Sequence, residues 1–451
     1  MQTQNINYIQ IVPFSNFQLW DVNRYKLKSS IISNFEIVKL NSIIKQVEDY
    51  EVLKPEKEYK LCGISSYGQG IFHREIKKGF EIQAKKLNII KVGQFIYSRL
   101  GANNGSFAKV TKEFDNYYVS NEFPTFELNV NRINIDYLEI IFKSKKYWSI
   151  INNQLQGAAH KRFKEELFLN IEIPLPSIEE QNKIVAAYQE KIQLAEQQAK
   201  QANELEAEIE RYLMEELGVE KIKKSNSGKG ISMINFSDLH EWGAEKLLKG
   251  NKNILTSNLY PNQKLSSLVY VNPRTDLTKL NENDEMSFLP MECISDDYGE
   301  VKELRNGIKK NSSGYTKFKE GDLLWARITP CMQNGKSAIV QGLKNKVGYG
   351  STEYHVLRKL NEDFDIEFAY HLLRTKLVRD DATNYFTGSA GQQRVPKSYL
   401  ENLVIPVPPI NKQIEISKKL NSIKSQIKEL NNKSEQNKIE AIKEFENVIF
   451  S

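Results

Sequence analysis

Two long stretches of the chain carry apolar residues at alternating steps of three and four. In the first, Val185, Tyr188, Ile192, Ala195, Ala199 and Ala202 keep a 3-4-3-4-3 spacing, and after one short step the stripe resumes at Leu205, Ile209 and Leu213. In the second, Ile416, Leu420, Ile423, Ile427 and Leu430 keep a 4-3-4-3 spacing; the pattern blurs from Asn431 to Asn437 and returns at Ile439, Ile442 and Phe445. That period is the mark of an amphipathic helix. The spacing predicts helices from about Ser177 to Leu217 and from about Asn411 to Ile449, each after a Pro-x-Pro break and neither interrupted by Pro or Gly. Ser177 with Glu180 reads as a capping box, and Gly218 is placed for a C-cap. About 40 residues at 1.5 Å each make a helix of about 60 Å. Its seam must be buried, either on its own globular domain or against the other helix. Pairing is the better fit, because 60 Å outreaches a domain of this size.

The rest of the chain has mixed character. Phe95-Ile96-Tyr97-Ser98 and Leu323-Leu324-Trp325-Ala326, bounded by Gly, predict short alternating strands. Asp136 to Ile150 and Ile366 to Val378 have helical periodicity.

These segments are written twice. Phe14-Ser15 and Trp20 match Phe236-Ser237 and Trp242 at an offset of 222. Lys39-Leu40 with Ser42 matches Lys264-Leu265 with Ser267 at 225, and the strand after Gly93 matches that after Gly321 at 228. Asn104-Gly105 matches Asn334-Gly335 at 230, and Glu122-Phe123 matches Glu353-Tyr354 at 231. Ile173-Pro174-Leu175-Pro176 matches Ile405-Pro406-Val407-Pro408, and Gln181 matches Gln413, both at 232. A slowly rising offset is what two copies show when the second carries short insertions. A unit this long is a duplicated domain module, since solenoid repeats run about 20–50 residues.

Composition fits a soluble globular chain of two to four domains: 451 residues, 40% hydrophobic and 27% charged. The three cysteines, Cys62, Cys293 and Cys331, form no CxxC pair, and the five histidines show no metal-ligand spacing, so neither a disulfide scaffold nor a metal site is expected. No membrane span and no signal peptide is expected, which makes the cytoplasm the default location. The net charge of +6 is mild, but it is unevenly spread. Residues 177–224 carry −4 and residues 410–451 carry +2, which leaves +8 on the globular parts. Opposite signs favour pairing of the helices, and a basic surplus on the globular parts suits an anionic partner.

Catalytic signatures dissolve on inspection. Gly335-Lys336-Ser337 resembles the end of a phosphate loop, but Pro330 stands where its first glycine belongs. Glu58-Tyr59-Lys60 has the form of a nuclease triplet without the preceding Pro-Asp. Val407-Pro408-Pro409-Ile410 lacks the polar residue and the aromatic that an amino-methyltransferase needs around its Pro-Pro, and serves as a helix stop and start. No catalytic residue is assigned, and the chain is expected not to be an enzyme by itself.

The second copy reads Gly321-Asp322-Leu323-Leu324-Trp325-Ala326-Arg327, then Gly388-Ser389 to Arg394, then Ile405-Pro406-Val407-Pro408 and a long heptad helix. In this order the chain resembles the specificity subunit of type I restriction-modification systems, over essentially its whole length. The first copy departs: Gln94 replaces the acidic residue, and Gly157-Ala158-Ala159-His160-Lys161-Arg162 replaces the Gly-Ser loop. The resemblance implies an α+β protein with two duplicated mixed α/β target recognition domains, separated by two long helices in an antiparallel coiled coil with pseudo-two-fold symmetry. The expected boundaries are 1–176 and 225–409 for the domains and 177–224 and 410–451 for the helices. Each domain would read half of a bipartite, asymmetric site in double-stranded DNA, and the helices would set the separation, at most roughly 18 base pairs for 60 Å. The subunit would dock two modification subunits, which methylate adenine, and then the restriction subunits. S-adenosylmethionine, ATP and Mg2+ would sit on those partners and no cofactor on this chain.

Candidate DNA contacts follow, each with a plainer reading beside it. Arg99 and Arg327 end the duplicated strands and either touch phosphate or base, or form structural ion pairs. Asn103, Asn104 and Lys109, with Gln333, Asn334 and Lys336, form polar loops after those strands and are DNA contacts or ordinary turn residues. Lys161 and Arg162, with Gln392, Gln393 and Arg394, lie on the second duplicated loop. The Gln-Gln-Arg group has the donors and acceptors for adenine and guanine edges, or the loop braces the domain against its helix. Arg74, Lys77 and Lys78, with Lys309 and Lys310, sit where the copies differ and are contacts or a solvated face. Tyr67-Gly68 and Tyr298-Gly299 are turns or aromatic contacts. A type IIB-like specificity subunit is the near alternative, and a coiled-coil scaffold that binds protein is the distant one.

Overall fold

Each copy of the repeat opens and closes on one antiparallel strand pair, and everything between is threaded onto that frame. The computed structural model describes residues 31–155, 162–219, 254–389 and 391–450. The first copy runs β1 (Ile37–Lys39), β2 (Ile44–Val47), β3 (Tyr50–Val52), β4 (Glu58–Ile64), β5 (Ile71–Lys78), β6 (Lys86–Ile89), β7 (Phe95–Tyr97), β8 (Phe107–Lys109), β9 (Tyr118–Val119) and β10 (Thr125–Leu128). Helices α1 (Ile135–Lys143), α2 (Lys145–Gln154) and α3 (Glu165–Leu169) follow, then β11 (Glu172–Pro174) and the long α4 (Ile178–Leu217). The second copy runs β12 (Asn262–Lys264), β13 (Val269–Val271), β14 (Glu285–Leu289), β15 (Arg305–Ile308), β16 (Thr316–Lys319), β17 (Leu323–Ala326), β18 (Ser337–Ile339), β19 (Val347–Gly350) and β20 (Tyr354–Lys359). It ends with α5 (Ile366–Arg374), α6 (Lys376–Thr383), α7 (Lys397–Asn402), β21 (Val404–Pro406) and the long α8 (Ile410–Ile449).

The duplication holds at the level of single bonds. β1 pairs with β11, Ile37 facing Pro174, and β12 pairs with β21, Asn262 facing Pro406. The repeated Lys-Leu-x-Ser turn is closed in both copies by its serine: Ser42 Oγ donates to Lys39 O at 2.8 Å and Ser267 Oγ to Lys264 O at 2.7 Å. The sheets β2-β10-β7-β8 and β13-β20-β17-β18 have the same order. The remaining sheets differ, with order β3-β6-β9-β4-β5 in the first copy and β15-β14-β19-β16 in the second.

The strands β7 and β17 depart from the expected alternation of buried and exposed positions. Both are buried throughout, because each separates two cores. Phe95 and Tyr97 join a core with Phe107, Phe126, Phe142 and Phe168, while Ile96 joins another with Ala108 and Val110. Leu323 and Trp325 likewise face one core and Leu324 the other. The helical stretches are also not single helices. Ser144 and Thr375 adopt extended backbone and restart the chain as α2 and α6, with their hydroxyls accepting from Lys146 N and Val378 N.

The repeated glutamine of the long-helix start has a structural task in both copies. Gln181 and Gln413 are fully buried. Gln181 Nε2 donates to Pro176 O and Arg132 O, both at 2.9 Å, and its Oε1 accepts from Asn134 N at 2.8 Å. Gln413 Nε2 donates to Pro408 O at 2.8 Å, and its Oε1 accepts from Asp365 N at 2.9 Å. Asn134 and Asp365 are the N-caps of α1 and α5, so one side chain ties the long helix to the cap of the helix pair.

α4 and α8 match the expected helices to within a residue or two. The capping box is made: Glu180 N donates to Ser177 Oγ and Ser177 N to Glu180 Oε2, both at 3.3 Å. Gly218, at φ +60°, follows the end of α4 at Leu217; residues 220–253, and with them the expected segment boundary at 224, lie outside the described part. The described chain divides into two compact units. One is Met1–Gln197 with Lys433–Ser451 and the other Gln198–Asn432, so each takes half of both long helices.

Within each unit the half-helices run antiparallel and also close their own core. In the first, Val185 packs in the core with Phe445 and Ile449, Tyr188 and Ile442 lie at its margin, and Lys191 Nζ pairs with Glu444 at 2.8 Å. In the second, Leu213 packs with Ile416, Leu420, Ile423 and Ile427, flanked by Leu205, Ile209 and Leu430, and Lys412 Nζ pairs with Glu216 at 2.8 Å. Ala195 is buried, while Ile192 and Ala199 are half-buried. The expected return of the stripe at Ile439 fails: that side chain is 66% exposed. Ser434 and Ala441 hold the seam instead. Ser434 Oγ donates to Ala195 O at 2.8 Å, and a small side chain there lets the backbones approach.

Gln413→Leu is expected to strand the Pro408 carbonyl and the Asp365 N–H, and to cost roughly 2–3 kcal/mol. Urea denaturation would show this as a lower midpoint at unchanged slope.

Candidate nucleic-acid interface

The repeat brings the same three residues together in each copy, at the exit of the doubly buried strand. In the first, Arg99 N donates to Glu122 O at 2.9 Å and Phe163 N donates to Arg99 O at 2.9 Å. In the second, Arg327 N donates to Glu353 O at 2.9 Å and Val395 N to Arg327 O at 2.8 Å. The loop arginine then grips the glutamate. Arg162 donates through Nε to Glu122 Oε2 at 3.1 Å, and Arg394 reaches Glu353 through Nε at 2.9 Å and Nη2 at 2.7 Å. Arg162 therefore does in the first copy what Arg394 does in the second, although the loops that carry them differ in sequence. Lys161 lies outside the described residues.

Two substitutions set the copies apart. Asp322 is fully buried and receives Arg358 Nε at 2.8 Å and Nη2 at 2.7 Å. It also accepts from Lys319 N at 2.8 Å, closing the turn before β17. Gln94 closes the corresponding turn, accepting from Lys91 N at 2.9 Å. Glu127 takes the place of Arg358 in the register of β10, so the neutral Gln94 avoids facing one carboxylate with another. The second substitution is Glu165, which pairs with Arg99 Nη2; its counterpart in the second copy is Lys397, which pairs with Glu401 at 2.7 Å.

The second unit holds a cleft of about 960 Å³ on this side of its sheet. Arg274, Lys309, Lys317 and Arg327 line it against one carboxylate, Asp276. Arg358 braces its wall, donating through Nη2 to Thr275 Oγ1 at 3.0 Å and through Nη1 to Arg274 O at 3.3 Å. Lys309 donates to Leu280 O at 2.7 Å and pairs with Glu282, while Lys310 is exposed.

The other predicted residues are placed as follows. Asn103 and Asn104 lie in a single turn of 3-10 helix before Gly105, whose φ of +74° and contact with Trp148 leave no room for a Cβ. Lys109 pairs with Asp136. Gln333 accepts from Thr329 Oγ1, Asn334 N donates to Pro330 O at 2.9 Å, and Lys336 Nζ donates to Met291 O at 3.3 Å. Gln393 gives its carbonyl to Thr329 N at 3.0 Å, and the Gln392 side chain is exposed. Arg74, Lys77 and Lys78 lie on the edge strand β5, paired with Glu75, Glu75 and Glu56 at 3.4, 3.0 and 3.7 Å. The Tyr-Gly pairs are turns: Tyr67 N donates to Asn104 O at 2.7 Å, and the Tyr298 and Gly299 carbonyls accept from Tyr370 OH at 3.0 and 2.9 Å. Sequence reasoning missed Arg274 and Lys317. It also missed Glu165 against Lys397, which aligning the copies at the final offset of 232 would have shown.

Two histidines of the second unit are locked neutral. Burial pulls His355 down to about 4, and Asn272 Nδ2 donates to its Nδ1 at 3.0 Å while its Nε2 donates to Val395 O at 2.9 Å. Burial pulls His371 down to about 3, with Asn421 Oδ1 at 2.9 Å from its Nε2.

The type I restriction modification DNA specificity domain matches this chain twice, over residues 32–207 and 262–441. The chain belongs to that family. A stretch of 157 residues is 38% identical to the type I restriction enzyme EcoEI specificity subunit of Escherichia coli, covering 34% of this chain and 25% of that protein. The EcoAI specificity subunit of the same organism is 37% identical over 157 residues, covering 34% and 26%. The chain thus spans about a quarter of the length of the curated relatives it matches. A solved chain from work on the type I R-M system has the same fold, with a TM-score of 0.54 at 16% identity over 92% of this chain and 96% of that one. No described helix of this family member is long and apolar enough to cross a membrane.

Two outcomes are expected. Asp322→Ala leaves Arg358 without its carboxylate and is expected to destabilise the second unit by roughly 3–5 kcal/mol, read by chemical denaturation. The histidines give a pH dependence. Below pH 6.5 the unfolded chain protonates these histidines before the folded one does, so their contribution to stability falls as pH falls, down to about 4 for His355 and about 3 for His371. The urea midpoint measured against pH is expected to show this slope, and His371→Gln to reduce it.

Proposed function

We propose that this chain is the DNA-recognition subunit of a type I restriction-modification complex. Each module reads one half of a bipartite, asymmetric site. The observation that carries the reading is the double match to the specificity family, joined to a duplicated Arg–Glu–Arg frame that opens on a cation-lined cleft in the second unit. A guanidinium presents a planar fork of donors that fits phosphate oxygens and guanine edges. Two modules of one design suit two half-sites. Their different β5 and β15 sheets and different arginine neighbours suit two different half-sites, hence asymmetry.

The catalytic work belongs to partners in this reading. Modification subunits bind S-adenosylmethionine and methylate adenine, and restriction subunits use ATP and Mg2+. This chain selects where they act, without chemistry of its own, in the cytoplasm where host DNA lies. Membership of the family weighs against a protein-binding scaffold.

Methylation mapping of a host that expresses the chain with its modification subunit is expected to reveal one split, asymmetric adenine-methylated motif. A methylome without any bipartite motif would contradict the reading.

A further inference from the structure

Arg99 and Arg327 are one residue of the repeat in two electrostatic settings. Both leave a buried strand, both have their backbone held by the same two partners, and both have an Nε that is buried without an acceptor. The difference lies in the rest of the guanidinium. Two residues past the shared backbone bond, Glu165 takes Nη2 of Arg99. In the second copy that position is Lys397, turned to Glu401. The carboxylate nearest Arg327 is Glu353, at 4.0 Å from Nε, and Arg394 already forks it. Among the described residues the Arg327 guanidinium therefore has no hydrogen-bond acceptor.

The surroundings add to this. Arg327 is 32% exposed and lines the cleft with Arg274, whose side chain makes no hydrogen bond or ion pair among the described residues. Lys309 is held by the Leu280 carbonyl and by Glu282, and Lys317 by the Tyr315 carbonyl, which leaves the charge of Lys317 at the wall. Four cations face the single Asp276, so the cleft favours an anion.

We propose that Arg327 grips a DNA phosphate in the second module, whereas Arg99 is locked by Glu165 as a structural ion pair, so that the two modules hold the backbone by different residues. This rests on the DNA-recognition reading above. Arg327 keeps only a long, non-hydrogen-bonded approach to a carboxylate that Arg394 already forks, so it loses less on meeting a phosphate than Arg99, which must first break a hydrogen-bonded pair.

The test measures DNA affinity of the full chain, co-purified with its modification subunit, against salt concentration, using a duplex that carries the mapped motif. Arg327→Ala is expected to reduce the slope of log K on log salt by about 0.9 and to weaken binding about eightfold at 0.1 M salt. Arg327→Lys is expected to keep the slope, because it keeps the charge. Lys397→Glu, which sets a carboxylate where Glu165 stands, is expected to reproduce the loss with Arg327 in place. Arg99→Ala is expected to lower the melting temperature and leave the slope unchanged. An unchanged slope in Arg327→Ala, or an equal loss in Arg99→Ala, would overturn the proposal while wild-type binding still stands. A wild-type complex that shows no salt-dependent binding would overturn the DNA reading and this inference together.

Discussion

Arg99 and Arg327 leave strands that are buried on both faces, and a guanidinium at such a place has to meet a carboxylate or a ligand. A charge stranded against a low-dielectric core is costly, and its neighbours must answer it. The second arginine of each copy answers the intervening glutamate, Arg162 on Glu122 and Arg394 on Glu353. That leaves the first arginine to be settled by one further position. The carboxylate of Glu165 settles it internally, and the ammonium of Lys397 leaves it open toward the cleft. One side chain thus separates the two settings: Glu165 pairs with Arg99, whereas Lys397 turns to Glu401.

The frame itself depends on a second repeated device. Gln181 and Gln413 fasten the start of each long helix to the cap of a helix pair, and the helix pair packs on the doubly buried strand through the same core. The helices are therefore part of each unit's interior as well as partners of one another. Both long helices run unbroken for 40 residues.

Much of this was legible in the sequence. Offsets drifting from 222 to 232 revealed the duplication, and the three-and-four spacing of Val185, Tyr188 and Ile416, Leu420 located the long helices. What escaped had physical causes. Ile439 looked like a seam residue by hydropathy, but the seam is defined by the facing backbone, and Ser434 earns that place by a bond to Ala195 O that no apolar pattern records. Gln94 replaces the acidic residue of the second copy, and across the sheet Glu127 changes with it. The cleft escaped because its walls come from residues near 274, 309, 317 and 327, which only the folded sheet brings together. Arg394, read from the sequence as a DNA contact or part of a bracing loop, holds Glu353, a pairing that composition alone does not show.

In the proposed function two modules read two half-sites independently. The direct measurement is methylation mapping after exchange of residues 269–403 for the corresponding segment of another family member, in the full chain with its modification subunit. The account predicts a new motif in which one half changes and the other half is retained. A motif altered in both halves, or in neither, would contradict it.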